Sequence, residues 1–397
     1  MDITVFPQRL HGTVTAVPSK SQLHRYLICA AFADRPTQIR CMETSEDVEA
    51  TVECLTRIGV QIAKKDCGYW VTPTQRYTEA AVLPCRESGS TLRFLLPVIG
   101  ALGIGATFRL DGRLHQRPLT PLLQEMTRMG CSICWLDERT LSCSGQLKPG
   151  EYSIPGNISS QFISGLLFAC AILGCGSYVS VTGQLESKPY VDMTIRALAL
   201  FGIDATKPIS CANAFLSPGI IAADGDWSNS ACYFAANAIG SDVKICGLDT
   251  DSPQGDRAIT DLLQQLTLGL PVDLANHPDL FPILAVVAAI KSGGHFYHVR
   301  RLRLKESDRI ASVLAMLSAF GCQTSAEEDS VTVFPGKIHG CVVDSCNDHR
   351  IVMAAAIAAT CAHGPVTIQN AECVSKSYPR FWDDYRLLGG LYEQHIR

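Results

Sequence analysis

SKSQLHRYLICAAFA (residues 19–33) is the stretch from which the fold is read. Hydroxyls and two cations, Lys20 and Arg25, stand directly ahead of a run that is apolar nearly all round. Such a run reads as a buried helix, and its Ser-rich start as a capped N-terminus. Three more stretches share the plan: ESGSTLRFLLPVIGAL (87–102), ISSQFISGLLFACAIL (158–173) and SNSACYFAANAIG (228–240). Aligned on Ser21, Ser90, Ser160 and Ser230, they step by 69, 70 and 70 residues. PDLFPILAVVAAI (278–290) and NDHRIVMAAAIAA (347–359) extend the series with Asp or Asn at the start. The step from Ser230 to Asp279 is 49, and that from Asp279 to His349 is again 70. Coincidence among Ala/Leu helices is the alternative; six copies with four near-equal steps favour an internal repeat.

Between the copies lie strand-like runs with turn residues, such as GVQIAKKDCGYWVTP (59–73), ATFRLDG (106–112) and SVTVFPG (330–336). Amphipathic helices that end at Gly also intervene: DVEATVECLTRIG (47–59), LTPLLQEMTRMG (119–130) and DRIASVLAMLSAFG (308–321). One unit of the repeat is therefore strands plus one buried and one exposed helix.

The chain has 397 residues, enough for two or three domains at ~150 each. Its longest apolar stretch, LFPILAVVAAI (280–290), falls well short of the ~20 residues that span a bilayer. The start, MDITVFPQRLHG, has neither the plan of a signal peptide nor the Arg/Ser bias of a transit peptide, so the cytoplasm is expected. Most of the eighteen cysteines lie in apolar runs and read as reduced core residues. CSIC (131–134) has metal-ligand spacing but no second pair, and it falls in an alternating segment, so it reads as strand. The net charge of −4 argues against a nucleic-acid partner. Cations concentrate locally instead, in HVRRLRLKESDR (298–309), which suits a small anion.

A buried helix whose N-terminus faces an open space is an anion site, and cations in its first turns reinforce it. If the six helices converge, they gather Lys20, Ser21, Arg25, Gly89, Ser90, Arg93, Ser159, Ser160, Gln161, Asp279, Asn347, Asp348, His349 and Arg350. That is a pocket for a ligand with several negative groups.

Eight motifs carry a resemblance: PSKSQLHR (18–25), ESGSTLR (87–93), LHQRPL (114–119), GNISSQF (156–162), SKPYVD (187–192), RLKESDR (303–309), NDHR (347–350) and SKSYP (375–379). In this order and spacing the sequence resembles the EPSP synthases, enolpyruvyl transferases that act on shikimate 3-phosphate, over essentially its whole length. The resemblance implies an α/β fold of two lobes, an inside-out α/β barrel of six repeated βαβαββ units. Their buried helices would point at the interlobe cleft, where the active site is expected. Residues 1–17 and 225–397 would form the lobe with both termini, and 18–224 the inserted second lobe.

The implied reaction moves the enolpyruvyl group of phosphoenolpyruvate to the 5-hydroxyl of shikimate 3-phosphate and releases phosphate. No metal or organic cofactor is implied, and the expected partners are these two small molecules, with no membrane or nucleic acid and a monomeric state. By the resemblance, Lys20, Arg117, Arg309, Arg350 and Lys376 hold phosphoenolpyruvate, with Gly89 leaving room beside it; the herbicide glyphosate occupies the same pocket in the family. Ser21, Arg25, Ser159, Ser160, Gln161, Ser187 and Tyr190 match contacts to shikimate 3-phosphate, with Gln161 near both substrates, Lys20 at their junction and Lys305 beside the ring. Asp279 matches the base for the 5-hydroxyl, and Glu306 a proton relay to the methylene carbon, helped by His349 and Lys376.

Plainer readings stand beside these. Arg117 before Pro118 could start a surface helix, Glu306 could pair with Arg309 on a solvated face, and His349 could only support the site. Cys341 and Cys346 read as strand filler. Glu87 stands where many members have Asn, and Arg301 where some use Asn to reach the phosphate. The sister transferase that acts on UDP-N-acetylglucosamine is the nearest rival, yet it has Lys-Asn at the start, and here Ser21 follows Lys20; DGRLHQRP (111–118) also lacks its reactive Cys. A non-catalytic binding paralogue would be expected to lack the acids and bases found here.

Overall fold

The computed structural model describes residues 1–74, 76–212 and 215–395. The chain divides into two compact units: a terminal unit of Met1–Val17 with Gly225–Arg397, and an inserted unit of Pro18–Asp224.

The inserted unit carries helices α1 (Lys20–Ala31), α2 (Glu46–Arg57), α3 (Gly89–Leu102), α4 (Thr120–Arg128), α5 (Ser160–Leu173) and α6 (Lys188–Leu200). The terminal unit carries α7 (Trp227–Ala238), α8 (Ile259–Thr267), α9 (Phe281–Ile290), α10 (Arg309–Ala319), α11 (His349–Ala359) and α12 (Phe381–Leu387). The odd-numbered helices are buried along nearly their whole length, as their all-round apolar sequences require. The even-numbered ones bury one face against a core of their own unit. Gly59, Gly130 and Gly321 follow α2, α4 and α10 with φ of 106°, 115° and 87°, the left-handed conformation glycine reaches without strain.

Each buried helix adjoins, in sequence, one strand of a parallel pair. α3 connects Ala80–Arg86 to Gly105–Leu110, and α9 connects Val272–Asp273 to Gly294–Tyr297. Glu151–Pro155 with Tyr178–Thr182, and His11–Thr15 with Asp242–Cys246, remain two-stranded, whereas an antiparallel pair of strands completes the other four of the six sheets. The order is then first strand, second, fourth, third, as in Ala80–Arg86, Gly105–Leu110, Thr140–Gly145, Cys131–Asp137. The sheet of Val342–Asp344, Val366–Gln369, Asp2–Phe6 and Leu391–His395 has the same order, with the chain's first strand taking the fourth place. Among the described residues the strands make six separate sheets, and none closes into a barrel.

α3 and α5 approach closely at Gly165, where a Cβ would overlap the carbonyl oxygen of Arg93. Pro97, four residues on, lacks the N–H that would bond this carbonyl within the helix. The missing bond and the missing side chain occur at one contact. In CSIC, Cys131 is buried and Cys134 exposed, because an odd spacing along a strand puts two side chains on opposite faces.

The fourth buried helix starts at Trp227, capped by Asp226, and Ser230 lies in its first turn. Two expectations are corrected. Asp279 does not cap the fifth; it lies in a 3-10 turn, Pro278–Leu280, that feeds α9, because the backbone tightens between Pro278 and Pro282. Cys346 is not strand filler. It has φ 51° in a turn after Val342–Asp344, where its N–H donates to Asp344 Oδ1 at 2.8 Å.

Candidate functional site

In the inserted unit the candidate residues sit at the starts of α1, α3, α5 and α6. Lys20 opens α1, and its Nζ pairs with Asp47 Oδ2 in the first turn of α2 at 2.9 Å. Arg25, one turn further along α1, is buried. Its Nε donates to Thr194 Oγ1 (2.7 Å), Nη1 to the Ser21 carbonyl (2.7 Å) and Nη2 to the Tyr190 carbonyl (2.8 Å). Its guanidinium carbon stands 5.0 Å from the centroid of the Phe94 ring. Burial lowers its pKa to about 10, so it stays charged at neutral pH.

Gly89 opens α3. A Cβ there would lie 2.5 Å from Arg93 Nη1 and 2.7 Å from Arg117 Nη1, so two guanidinium groups lie across its Cα. Arg117 follows the 3-10 turn Leu114–Gln116 and is half-buried against Gly89, not a residue of a helix start on the surface. Gln161 joins this group: its Nε2 donates to Ser90 Oγ (2.9 Å) and its Oε1 accepts from Arg93 Nη1 (3.0 Å). The Ser159 hydroxyl caps α5 by accepting from the Gln161 N–H at 3.3 Å, with buried Ser160 next to it. Ser187, buried with φ 53°, leads into α6, whose first turn holds Tyr190.

In the terminal unit the candidates form one ionic cluster around Arg309, which is 1% exposed. Its Nη1 bonds Asp279 Oδ1 at 2.8 Å, its Nη2 bonds Glu306 Oε2 at 2.6 Å, and its Nε bonds Asp348 Oδ2 at 3.0 Å. Lys305 Nζ stands 3.2 Å from Asp279 Oδ1, and Arg350 Nη2 stands 3.7 Å from Oδ2. Burial alone would raise the Asp279 carboxyl; Lys305, Arg309 and Arg350 outweigh it and hold the pKa well below the usual carboxylate range. Burial lowers the Lys305 ammonium, with Arg309 and Arg301 adding to the effect against Asp279. Arg309 is raised despite its burial by Asp348, Glu306 and Asp279. Arg350 also donates to the Ser228 carbonyl at 2.6 Å, and Lys376 Nζ donates to the Asn347 carbonyl at 2.9 Å. His349 is buried beside Asp348, with Nδ1 3.9 Å from Oδ1. Glu306 does pair with Arg309, but its partner is buried and the pair is no solvated helix face. Arg301 Nη2 donates to the Ala275 carbonyl at 3.0 Å.

Three roles escaped the sequence reading. Asp47 pairs with Lys20 from the first residue of DVEATVECLTRIG (47–59), a segment that reads only as an amphipathic helix. Thr194 holds Arg25 from the middle of a surface-type helix. Asp348, which reads from sequence only as a helix-start residue, is the fully buried counter-ion of Arg309.

The arrangement suits anionic ligands. Helix starts, Lys and Arg groups and N–H donors are gathered in both units, and one buried carboxylate in the terminal unit is kept ionised among cations.

A family model described as EPSP synthase (3-phosphoshikimate 1-carboxyvinyltransferase) matches residues 5–270 and 267–385. A 3-phosphoshikimate 1-carboxyvinyltransferase of Clostridium kluyveri is 37% identical, the alignment covering 99% of this chain and 98% of that one. Its counterpart in Clostridium beijerinckii is 34% identical with the same coverage. Among solved structures, an EPSP synthase of Acinetobacter baumannii superposes with a TM-score of 0.80 at 24% identity, over 99% of this chain and 100% of that one. An enolpyruvyl transferase of Streptomyces tendae superposes with a TM-score of 0.75 at 18% identity, over 100% and 99% of the two chains. The structural likeness extends to the whole mixed α/β fold.

Proposed function

The chain belongs to the EPSP synthase family, and from that premise we propose how its residues divide the work. The reaction is enolpyruvyl transfer from phosphoenolpyruvate to shikimate 3-phosphate in the shikimate pathway, and the two compounds are its substrates.

In the proposal the half-site of each unit acts on the same pair of substrates, brought together in a cleft between the units. Each unit would consist of three βαβαββ repeats wound inside out, with the buried helix starts turned to the substrates. The recurring sheet order supports this reading. Lys20, Arg117, Arg309, Arg350 and Lys376 take phosphoenolpyruvate, with Gly89 and Gln161 against it. Ser21, Arg25, Ser159, Ser160, Gln161, Ser187, Tyr190 and Lys305 take shikimate 3-phosphate, with Lys20 between the two.

The 5-hydroxyl oxygen attacks C2 of phosphoenolpyruvate as a proton reaches the methylene carbon, giving a tetrahedral intermediate. Loss of a proton from the new methyl group, together with phosphate, restores the double bond. Asp279 takes the hydroxyl proton, and Glu306 relays the proton at carbon, with His349 and Lys376 beside it. A carboxylate held among Lys305, Arg309 and Arg350 is a weak base. Substrate phosphate and carboxylate groups draw on those same cations, so binding raises the basicity of Asp279 where the proton must be taken. A monomer working in the cytoplasm completes the proposal.

The observation that carries this reading is the single ionic cluster that unites Asp279, Lys305, Glu306, Arg309 and Arg350. Phosphate release with phosphoenolpyruvate and either shikimate 3-phosphate or UDP-N-acetylglucosamine tests it. Release with the first acceptor only is expected. Release with the second only would transfer the chain to the sister activity, and release with neither would leave a binding paralogue.

A further inference from the structure

We infer that His24 is a positioning residue that sets Lys20 and Gly89 for phosphoenolpyruvate and leaves alone the shikimate 3-phosphate contacts anchored through Arg25. The inference rests on the reading of Lys20 and Gly89 given above.

His24 lies one helical turn after Lys20 on α1, and Thr51 lies one turn after Asp47 on α2. The two helices are joined by two rungs: Lys20 Nζ to Asp47 Oδ2 at 2.9 Å, and His24 Nδ1 to Thr51 Oγ1 at 2.8 Å. Thr91 of α3 closes the ladder. Its hydroxyl stands 2.7 Å from that of Thr51, 3.3 Å from the Asp47 carbonyl and 2.8 Å from the Ser88 hydroxyl that caps α3. His24, Thr51, Thr91 and Ser88 are all buried. One circuit thus fixes three helix starts relative to one another, including the turn that places Lys20 and the turn that begins at Gly89.

The proton order in this circuit follows from its geometry. Thr91 donates to the Asp47 carbonyl or to Ser88, so it accepts from Thr51. Thr51 then has no proton left for His24 and must accept, which puts the imidazole proton on Nδ1. Nε2 has no hydrogen-bond partner among the described residues. Burial, with Lys20 and Arg25 nearby, holds the His24 pKa well below its usual value, so the ring is neutral and the circuit stays intact at working pH.

Arg25, the next residue on the helix, is anchored elsewhere. Its partners Thr194 and Tyr190 belong to α6, not to α2 or α3. Adjacent residues of one helix therefore tie its start to two different neighbours. Loosening one tie should disturb one substrate more than the other, which a merely structural defect would not do.

The test is steady-state kinetics on full-length variants. His24→Ala and Thr51→Val should each raise KM for phosphoenolpyruvate about fivefold to tenfold, the worth of one buried hydrogen bond, with KM for shikimate 3-phosphate within about twofold. The double variant should be no worse than either single one, since both break one circuit. His24→Asn, which keeps a hydrogen-bonding atom near the place of Nδ1, should recover most of the loss. Thr194→Val should show the opposite split. Should His24→Ala fail to fold, Thr51→Val and His24→Asn carry the test. Equal rises in both KM values, or none, overturn the inference. Lys20→Ala is the control: if it leaves KM for phosphoenolpyruvate unchanged, the underlying reading of Lys20 fails, and the inference with it. Nitrogen-15 spectra, assigned by loss of a signal in His24→Asn, should show a neutral ring protonated at Nδ1. Protonation at Nε2 would also overturn it.

Discussion

Arg309 Nη1 and Asp279 Oδ1 lie 2.8 Å apart, although the two residues belong to separate helical segments thirty positions apart in the chain. On the proposed assignment, the guanidinium that would hold a substrate anion is already engaged with the carboxylate that would take the substrate proton, so that binding and base chemistry would be coupled through this contact.

Replacing Asp279 separates the two. Asp279→Ala should lower kcat by roughly 10²–10⁴, the worth of a positioned acid–base group, while shikimate 3-phosphate still binds. Arg25→Ala should chiefly raise KM for shikimate 3-phosphate, because it removes binding common to ground and transition states. Kinetics with calorimetric binding check both, and a near-normal kcat in Asp279→Ala would move the base to Glu306.

Asp348 tests the cluster as structure. Both it and Arg309 are almost fully buried, and removing one partner of such a pair leaves the other charge without compensation. Asp348→Ala should lower stability by about 3–5 kcal/mol in urea denaturation. Asp348→Ala combined with Arg309→Met should cost less than the sum of the two; strict additivity would mean that the two side chains do not act as a pair.

Gly89→Ala pushes a methyl group against the guanidinium ends of Arg93 and Arg117. Both ends are flexible and can withdraw at a strain of ~1–3 kcal/mol, but the pocket narrows. The inhibition constant of glyphosate, the bulkier occupant, should rise more than KM for phosphoenolpyruvate. Parallel dose–response and substrate titrations decide this, with equal rises counting against the placement.

His24 gives a pH dependence with a definite sign. Its folded pKa is depressed, so below the unfolded value of ~6.5 the unfolded chain binds the extra proton and stability falls. The stabilisation is therefore present above pH 6.5 and is lost as pH falls toward the folded pKa. Between pH 6.5 and 5 the wild-type protein should lose up to about 1.4 kcal/mol per pH unit more than His24→Asn. Denaturation midpoints of the two proteins across that range measure the difference.

The buried helices were legible in the sequence because an all-round apolar run such as FISGLLFACAIL (162–173) admits no other soluble solution. The starts were less so. Asp226 and Asp279 differ in role because Pro278 and Pro282 tighten the backbone at one and not at the other, and a spacing of seventy does not register that. Cations were easy to nominate and their counter-ions were not: Asp47 is 27 positions from Lys20, and Asp348 is 39 from Arg309. Such pairings are made by the packing of helices, which no local pattern encodes. The His24–Thr51–Thr91 circuit escaped for the same reason, since a threonine inside a helix looks the same whether it faces solvent or a buried imidazole.

The first strand, Asp2–Phe6, lies between Val366–Gln369 and Leu391–His395. An interior strand of the terminal unit is thus synthesised long before either of its two neighbours in the sheet. The inserted unit, by contrast, is complete once Asp224 has emerged. Synthesis therefore imposes an order on folding: the inserted unit first, while Asp2–Phe6 stays unpaired until Val366–Gln369 has been made. Through that interval the strand exposes Ile3 and Val5, both buried in the finished protein, and it is the segment through which a nascent chain of this kind is most open to chaperone capture or mispairing.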